Sequence, residues 1–542
     1  MSRLADRIGR RFRAIWIASL AALLALAWIN RFVQDDAFIV FRYASNFAHG
    51  HGLVYNPGEP VEGYTCFLWA LLLGTGARLG LDPVPVSVAL GLAAFAGSLA
   101  MMHRLATRLE GERRFGLAAM IVLGLNYTFS AFATGGLETS LHAFLVTAVL
   151  ALGADELLAP SPGARRLIAL SVLGALAILT RPDSPLLVAP LAIALVAARA
   201  TEPRAPRGAA RALFLIVPAA LILGAWLAWK LRTYGDLLPN TFYAKATPGT
   251  SPARGINYVY RFVTSYWLEA PLVFALWCWR GMLASSVARI LVLTLGLWIA
   301  YVIAIGGDFM EFRMFVPVLP ILAWLIVRTA RELERRARLG WALAAIVLVG
   351  SLQHALVYNH TSHLDRIESV WHLKSHLVTE EQNWIGIGRT LGREFGTDTS
   401  FTIATTAAGA IPYYSGLRTV DLCGLNDRWI ARYGMVVGDV PGHQRTAPLD
   451  YLIERRVNLV IGHPRMVWDS LTGPIDLSEV PTRPWIAGAR IGRTVPERAR
   501  AIEIPIERGY RLRVLELTPN ATLDRAIEAG HWPVREIIAP RP

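Results

Sequence analysis

YTCFLWALLLGTGARLGL, Tyr64–Leu81, is the stretch on which the architecture turns. It is apolar and close to membrane length, but Gly74, Gly76 and Arg78 interrupt its second half. A spanning helix needs about 20 apolar residues, with a working range of about 17–25. If this stretch crosses the bilayer, the cluster Arg104, Arg108, Arg113 and Arg114 falls outside, and every later arginine cluster is inverted with it. If it lies along the interface, all of the clusters fall on the cytoplasmic side, as the positive-inside rule requires. We take the second reading, a juxtamembrane helix.

Working outward, the N-terminus holds five arginines between Arg3 and Arg13, followed by apolar residues 14–30. That start belongs in the cytoplasm. A signal peptide is the alternative, with Ala25-Leu26-Ala27 as its cleavage site. Eleven spans are expected near 14–31, 84–103, 114–128, 137–154, 166–180, 184–199, 211–230, 268–280, 288–305, 313–328 and 340–357. The inner connections carry Arg165-Arg166, Arg204, Arg207 and Arg211, Arg280 and Arg289, and Arg328 through Arg338. Residues 358–542 hold no further span. Short β-type runs alternate there with helical ones: 400–405, 406–415, 418–423, 450–456, 458–462 and 511–516. The expected division is therefore a membrane unit, 1–357, with an outer loop at 31–83, and an α/β domain outside the membrane, 358–542.

Composition agrees with a polytopic α-helical membrane protein. The chain is 54% hydrophobic and 17% charged, with a mean hydropathy of +0.40, too apolar for an ordinary soluble domain. The net charge of +14 comes from the arginine clusters rather than from one basic face, so nucleic acid is not a partner. Three cysteines, Cys66, Cys278 and Cys423, form no disulfide framework and no metal spacing. A Cys66–Cys423 bridge has no support beyond the shared outer placement. His49 and His51 are the nearest approach to a ligand pair, and no third ligand follows at a recognisable spacing. We assign no metal ligands, while leaving room for a divalent cation.

Every short motif with charges, glycines and aromatics lands on the outer side. Asp35 and Asp36 follow the first span, and carboxylates beside a bilayer are costly unless they have a task. They are the expected catalytic pair, Asp36 facing the reacting sugar and Asp35 supporting it, because sugar transfer needs a carboxylate that takes a proton from a hydroxyl. Glu62 returns a third carboxylate toward the same point. Arg42, Arg181, Lys245 and Arg313 are expected to bind a lipid phosphate, which arginine grips through paired hydrogen bonds. Glu138, Tyr243, Asp308 and Glu311 are expected to contact substrate, and Tyr413-Tyr414 to stack on sugar rings or to pack.

The stretches DDAFIVFRYASNFAHGHGLVYNPGEPVEGYT (35–65), GLET (136–139), TRPD (180–183), PNTFYAK (239–245), GGDFMEFRMFVPVLP (306–320) and AAGAIPYYSGLRTVDLCGLNDR (407–428) together resemble the GT-C glycosyltransferases. Within that family the resemblance is to terminal β-(1→2)-arabinofuranosyltransferases of mycobacterial and corynebacterial cell walls. It implies a GT-C fold and a polyprenyl-phosphate sugar donor, of the decaprenyl-phosphate arabinofuranose kind. It also implies an essential aspartate pair, here Asp35 and Asp36, and a multi-pass protein of the bacterial cytoplasmic membrane acting on its outer face. The acceptor is left as a glycan, lipid or protein. Another sugar (mannose, aminoarabinose) on the same lipid carrier is the alternative, and a lipid-linked sugar transporter the non-enzyme one.

Overall fold

The computed structural model describes residues 2–159, 163–198, 208–245, 252–358, 366–438, 440–468, 473, 475–476 and 499–538. Arg204 and Arg207 of the expected inner loop lie outside the described residues, as does most of 469–498.

The chain is mostly helical. The helices of the first part are α1 (Ser2–Ile29), α2 (Asp35–Ala48), α3 (Phe67–Arg78), α4 (Pro83–Glu110), α5 (Arg113–Gly124), α6 (Tyr127–Ala131), α7 (Thr139–Leu157), α8 (Ala164–Thr180) and α9 (Pro185–Ala197). They continue with α10 (Gly208–Tyr234), α11 (Asn240–Lys245), α12 (Pro252–Ser265), α13 (Glu269–Trp277), α14 (Trp279–Met282), α15 (Ser286–Ala304), α16 (Leu319–Ala337) and α17 (Gly340–Gln353). Among the described residues, seven helical segments are long and apolar enough to cross a membrane: 9–29, 83–110, 139–157, 208–234, 286–304, 313–337 and 340–358. The other expected crossings, near 114–128, 166–180, 184–199 and 268–280, are helical but shorter or more polar. The decisive stretch 64–81 forms α3, whose 12 residues are too few to span.

The segments α7 and 313–337 are the most enclosed of these helices, while α10 stands on the outside. Burial tracks polarity where it is costly. Glu110, at the end of α4, accepts hydrogen bonds from Trp324 Nε1 (3.0 Å), Arg328 (3.0 Å) and Arg331 (2.6 Å). This buried carboxylate ties α4 to α16 and absorbs two arginines of the basic cluster. Arg104 pairs with Asp155 and Arg166 with Glu156 at the same end of the bundle.

The motif-bearing loops gather at the opposite end. Gln34 N donates to Gly135 O (3.4 Å), Trp69 Nε1 to Gly136 O (3.0 Å), Asn240 N to Glu62 O (2.9 Å) and Tyr258 OH to Met310 O (3.0 Å). The sorting of motifs from arginines, expected from charge alone, is thus present in the contacts.

The C-terminal part is a sheet-containing domain. Its helices are α18 (Val370–Val378), α19 (Trp384–Phe395), α20 (Ala410–Ser415), α21 (Arg428–Tyr433), α22 (Leu449–Glu454) and α23 (Ala521–Gly530). Strands β1 (Thr402–Thr405), β2 (Arg418–Asp421) and β5 (Leu459–Gly462) pair in parallel around β1. Antiparallel β9 (Arg511–Glu516), β8 (Arg500–Pro505) and β10 (Val534–Ile538) continue the sheet from β5, and β7 (Ile475–Asp476) closes it. β6 (Met466–Val467) pairs with β9, and β3 (Met435–Val436) with β4 (Arg445–Thr446) separately. The β1–α20–β2 crossover matters most, because it docks on α2.

Candidate active site

The acidic pair is split by the fold. Asp35 turns toward the sheet domain, where its two carboxylate oxygens accept the backbone N–H groups of Ala410 (2.7 Å) and Gly409 (3.1 Å) at the head of α20. Gly409 is required there, since a Cβ on it would fall 1.9 Å from the Asp35 carbonyl oxygen. Asp36 turns the other way. Among the described residues its carboxylate accepts no hydrogen bond, and it faces Arg313, Lys245, His443 and Asp308 electrostatically. Burial pushes Asp36 above the ordinary carboxylate range, against the pull of Arg313, Lys245 and His443. Burial also pushes Asp35 up to about 7, opposed by the Ala410 N–H, reinforced by the charge of Asp36 and opposed again by the Gly409 N–H.

Around Asp36 stands a belt of paired charges. Gly306 and Gly307, both at positive φ (80° and 74°), turn the chain so that Asp308 meets Arg313 at 2.6 Å. Arg181 spans Asp183 (2.7 Å) and Glu138 (3.2 Å), and Tyr301 OH donates to Asp183 (3.2 Å). Lys245, at the end of α11, reaches into the same belt and interacts with Arg313, Asp308, Asp36 and Arg181. Among the described residues its ammonium makes no ion pair within 4.0 Å. Its side chain keeps solvent-accessible surface. Burial and Arg313 hold its pKa below the usual lysine value. Among the described residues the arrangement offers one carboxylate and one ammonium without an ion pair, beside two arginines held by carboxylates.

Six of the expected site residues therefore meet: Asp36, Glu138, Arg181, Lys245, Asp308 and Arg313. The others do not join them. Arg42 is spent on docking α2 to the sheet domain: it donates to Tyr55 O (2.7 Å), Leu417 O (2.7 Å), Asn56 Oδ1 (3.0 Å) and Pro412 O. With its donors so occupied, it cannot grip a phosphate in this conformation. Glu62 does not converge on Asp36 but pairs with buried Lys230 of α10 (2.8 Å). Glu311 is buried away from Asp36, bonded to His354 Nε2 (2.7 Å), Val370 N (2.7 Å) and Thr128 Oγ1 (3.4 Å). Tyr243 lies under the Arg432 guanidinium, 4.1 Å from its ring centroid. Tyr413 and Tyr414 pack on Phe38, each at 5.5 Å between centroids. Cys66, Cys278 and Cys423 are free and buried. His49 and His51 are exposed, and His49 Nδ1 bonds Ser45 O.

Two participants were not among the expected site residues. His443, from the turn before β4, enters the neighbourhood of Asp36 with nothing in its own sequence context to announce it. Asp183, next but one to Arg181 in the TRPD stretch, pairs with that arginine, which keeps its place beside Lys245 and Arg313.

Two hollows in the surface lie away from this belt. One of about 590 Å³ is lined by Glu59, Asp236, Trp429, Arg432 and Arg455, whose charges pair with one another. Another, of about 600 Å³, is an apolar groove between α5, α16 and α17 at the arginine-rich end. Neither brings an unpaired carboxylate to a cationic group.

Crystal structures of ArnT from Cupriavidus metallidurans superpose over nearly the whole chain. The apo state gives a TM-score of 0.51 at 13% identity, covering 95% of this chain and 100% of that one. The form bound to undecaprenyl phosphate gives 0.52 at 13% identity, covering 94% and 99%. At that identity the likeness concerns the fold. Together with the sequence relatives it makes the chain similar to the GT-C membrane glycosyltransferases. Those relatives are terminal β-(1→2)-arabinofuranosyltransferases. The Mycobacterium tuberculosis protein is 28% identical over 48% of this chain and 43% of its own length. That of Corynebacterium glutamicum is 29% identical over 63% and 54%. The chain thus spans about half the length of the curated relatives it matches. Residues 372–513 match a family model described as "Domain of unknown function (DUF8728)".

Proposed function

We propose that this protein transfers a sugar, D-arabinofuranose, from a polyprenyl-phosphate donor to a hydroxyl of a cell-envelope glycan or glycoconjugate. The observation that carries the reading is Asp36: an unbonded carboxylate, raised by burial, beside Lys245, Arg313 and Arg181. In the proposed reaction the acceptor O–H gives its proton to Asp36. The acceptor oxygen bonds to the anomeric carbon as the bond from that carbon to the phosphate oxygen breaks. The bonding pair leaves with the polyprenyl phosphate, whose charge is met by the three cations, an electrostatic term that is commonly the largest in such sites. Asp308 and Glu138 hold Arg313 and Arg181 in place.

One free carboxylate supports a single displacement that inverts the anomeric centre. Double displacement needs two carboxyl groups at the reacting carbon, and the oxygens of Asp35 are taken up by Gly409 and Ala410. The site would face the extracytoplasmic side of the bacterial cytoplasmic membrane, a placement supported by the arginine clusters at the far end. Residues 1–357 would form the catalytic membrane unit, and 358–542 an outer domain bracing it. Arabinofuranose rather than another sugar is supported by both relatives being arabinofuranosyltransferases.

The test is transfer by the purified protein in detergent, from polyprenyl-phosphate arabinofuranose to a panel of glycan and lipid acceptors, with the product linkage read by NMR. Transfer only from a mannose or aminoarabinose donor would overturn the sugar. No transfer from any such donor would overturn the enzyme.

A further inference from the structure

A second cluster of chemistry-bearing residues lies behind the loop that carries Asp308 and Arg313. Glu368 is woven into that loop: its N–H donates to Phe309 O (2.6 Å), and its carbonyl accepts Glu311 N (2.9 Å). α18 begins two residues later and carries His372 and His376, four apart and therefore on one face. One ligand atom each from Glu368, His372 and His376 lies within 4.8 Å of the others.

The surroundings of His376 are those of a ligand. Its Nδ1 is hydrogen-bonded to Gln382 Oε1, while its Nε2 faces Glu368 Oε2 at 3.0 Å. A neutral imidazole carries a single N–H. With one proton on Nδ1 and given to Gln382, Nε2 holds either a second proton, which makes the contact with Glu368 an ion pair, or a metal ion in that proton's place. An outer hydrogen bond that fixes the tautomer, as Gln382 provides, is the usual companion of a metal-bound histidine. The Trp384 ring stacks on His376 at 4.6 Å and holds it in orientation. Zinc with ligands at about 2.0–2.1 Å sets neighbouring ligand atoms roughly 3.3 Å apart, inside the 4.8 Å that bounds the trio. His443 interacts with Glu368, and its Nδ1 is buried with no hydrogen-bond partner among the described residues. His443 stands outside the trio, close enough to act on Glu368 by charge.

We propose that Glu368, His372 and His376 bind one divalent transition-metal ion of the zinc type, with water completing the shell. The ion clamps α18 to loop 306–313 and so steadies the loop that carries Asp308 and Arg313. Two histidines and a carboxylate suit zinc, cobalt or nickel rather than magnesium or calcium, which prefer all-oxygen shells.

The test uses the full-length protein in detergent, stripped with a chelator and titrated with Co²⁺. The expected result is one equivalent bound, with a visible d–d spectrum, displaced by Zn²⁺ and accompanied by a rise in Tm. His372→Ala and His376→Ala should abolish the spectrum, while His49→Ala should leave it unchanged. Gln382→Ala, which leaves the three ligands in place, should weaken binding by about 10–100-fold. A wild-type protein that takes up no stoichiometric Co²⁺ or Zn²⁺ overturns the proposal, whatever the variants do. So does an His372→Ala protein, monodisperse by size-exclusion chromatography, that binds as tightly as wild type.

Discussion

Asp35 and Asp36 are neighbours of identical chemistry, so their asparagine variants make a controlled pair. Asp36→Asn keeps the shape and removes the ability to take a proton. Positioned general bases contribute about 10²–10⁴-fold, which at about 1.36 kcal/mol per tenfold is roughly 3–5 kcal/mol of barrier. The fold should not suffer, because the Asp36 carboxylate accepts no hydrogen bond from the described protein and is disfavoured by its burial. Asp35→Asn should do the reverse. An asparagine offers one acceptor where Gly409 N and Ala410 N need two. One N–H is left facing an amide NH₂, at about 1–3 kcal/mol for a stranded buried donor. That cost falls on the α2–α20 junction.

The assay is the initial rate of sugar transfer by both purified variants, with Tm and limited proteolysis of the sheet domain measured on the same samples. Asp36→Asn should lose at least about a hundredfold in rate with Tm unchanged. Asp35→Asn should lose stability and become protease-sensitive first, with a smaller loss of rate. Asp36→Asn retaining a tenth or more of the activity would refute the assignment. A catalytically dead but fully stable Asp35→Asn would move the base to Asp35.

Lys245 lowers the pKa of Asp36, so Lys245→Met should raise it further. The acid limb of the kcat/KM profile, where Asp36 must lose its proton to act, should move to higher pH, and KM for the lipid-phosphate donor should rise. Asp35 has a folded-state pKa raised to about 7 from 3.8. The stability it contributes is fully present below about pH 4 and is lost as pH rises through 7. Melting curves should therefore show wild-type Tm falling across that window more steeply than that of Asp35→Asn. Arg42→Ala strands the carbonyls of Tyr55, Pro412 and Leu417, each worth about 1–3 kcal/mol. Its Tm should fall sharply, while donor KM in the surviving folded fraction stays unchanged, which phosphate binding by Arg42 would not permit. Lys230→Met leaves Glu62 buried without its cation, and breaking such a pair costs about 3–5 kcal/mol. Glu62→Gln in the same chain should recover much of the lost Tm.

The helical frame was legible because apolar runs mark its helices, seven of them long enough to span among the described residues, and the glycines and arginine of 64–81 already pointed to the short helix found there. Half of the candidate site was legible for the same local reason, in short polar motifs at helix ends. The errors share one cause. In a membrane chain a conspicuous polar residue signals that something must satisfy it, but not what. For Arg42 that something is Pro412 and Leu417, 370 and 375 residues away, and for Asp35 the N–H groups 374 and 375 residues on. Docking contacts between distant segments look in sequence like substrate contacts. His443 was hidden for a related reason, since it reaches the site from a domain whose docking no local pattern announces. His372 and His376 were readable as an i, i+4 pair, but their carboxylate partner lies outside the helix and gave the spacing no third point.

Helix geometry then explains why the pair is adjacent. At 3.6 residues per turn, consecutive side chains diverge by about 100°. Two carboxylates at the first turn of α2 cannot both address one anomeric carbon, and the fold uses the divergence. Asp35 is drawn into the α20 backbone, where Gly409 admits the close approach. That anchor fixes the rotation of α2 about its own axis, and with it the direction of Asp36 toward Lys245 and Arg313. The sheet domain thus acts on the proposed reaction without supplying its base: it sets the angle at which the base is presented. On this argument, shifting the acidic residue by one position, as in Asp36→Ala with Ala37→Asp, should not restore activity. It would move the carboxylate a further 100° or so around α2, to where Ala37 now packs against the Gly136 turn.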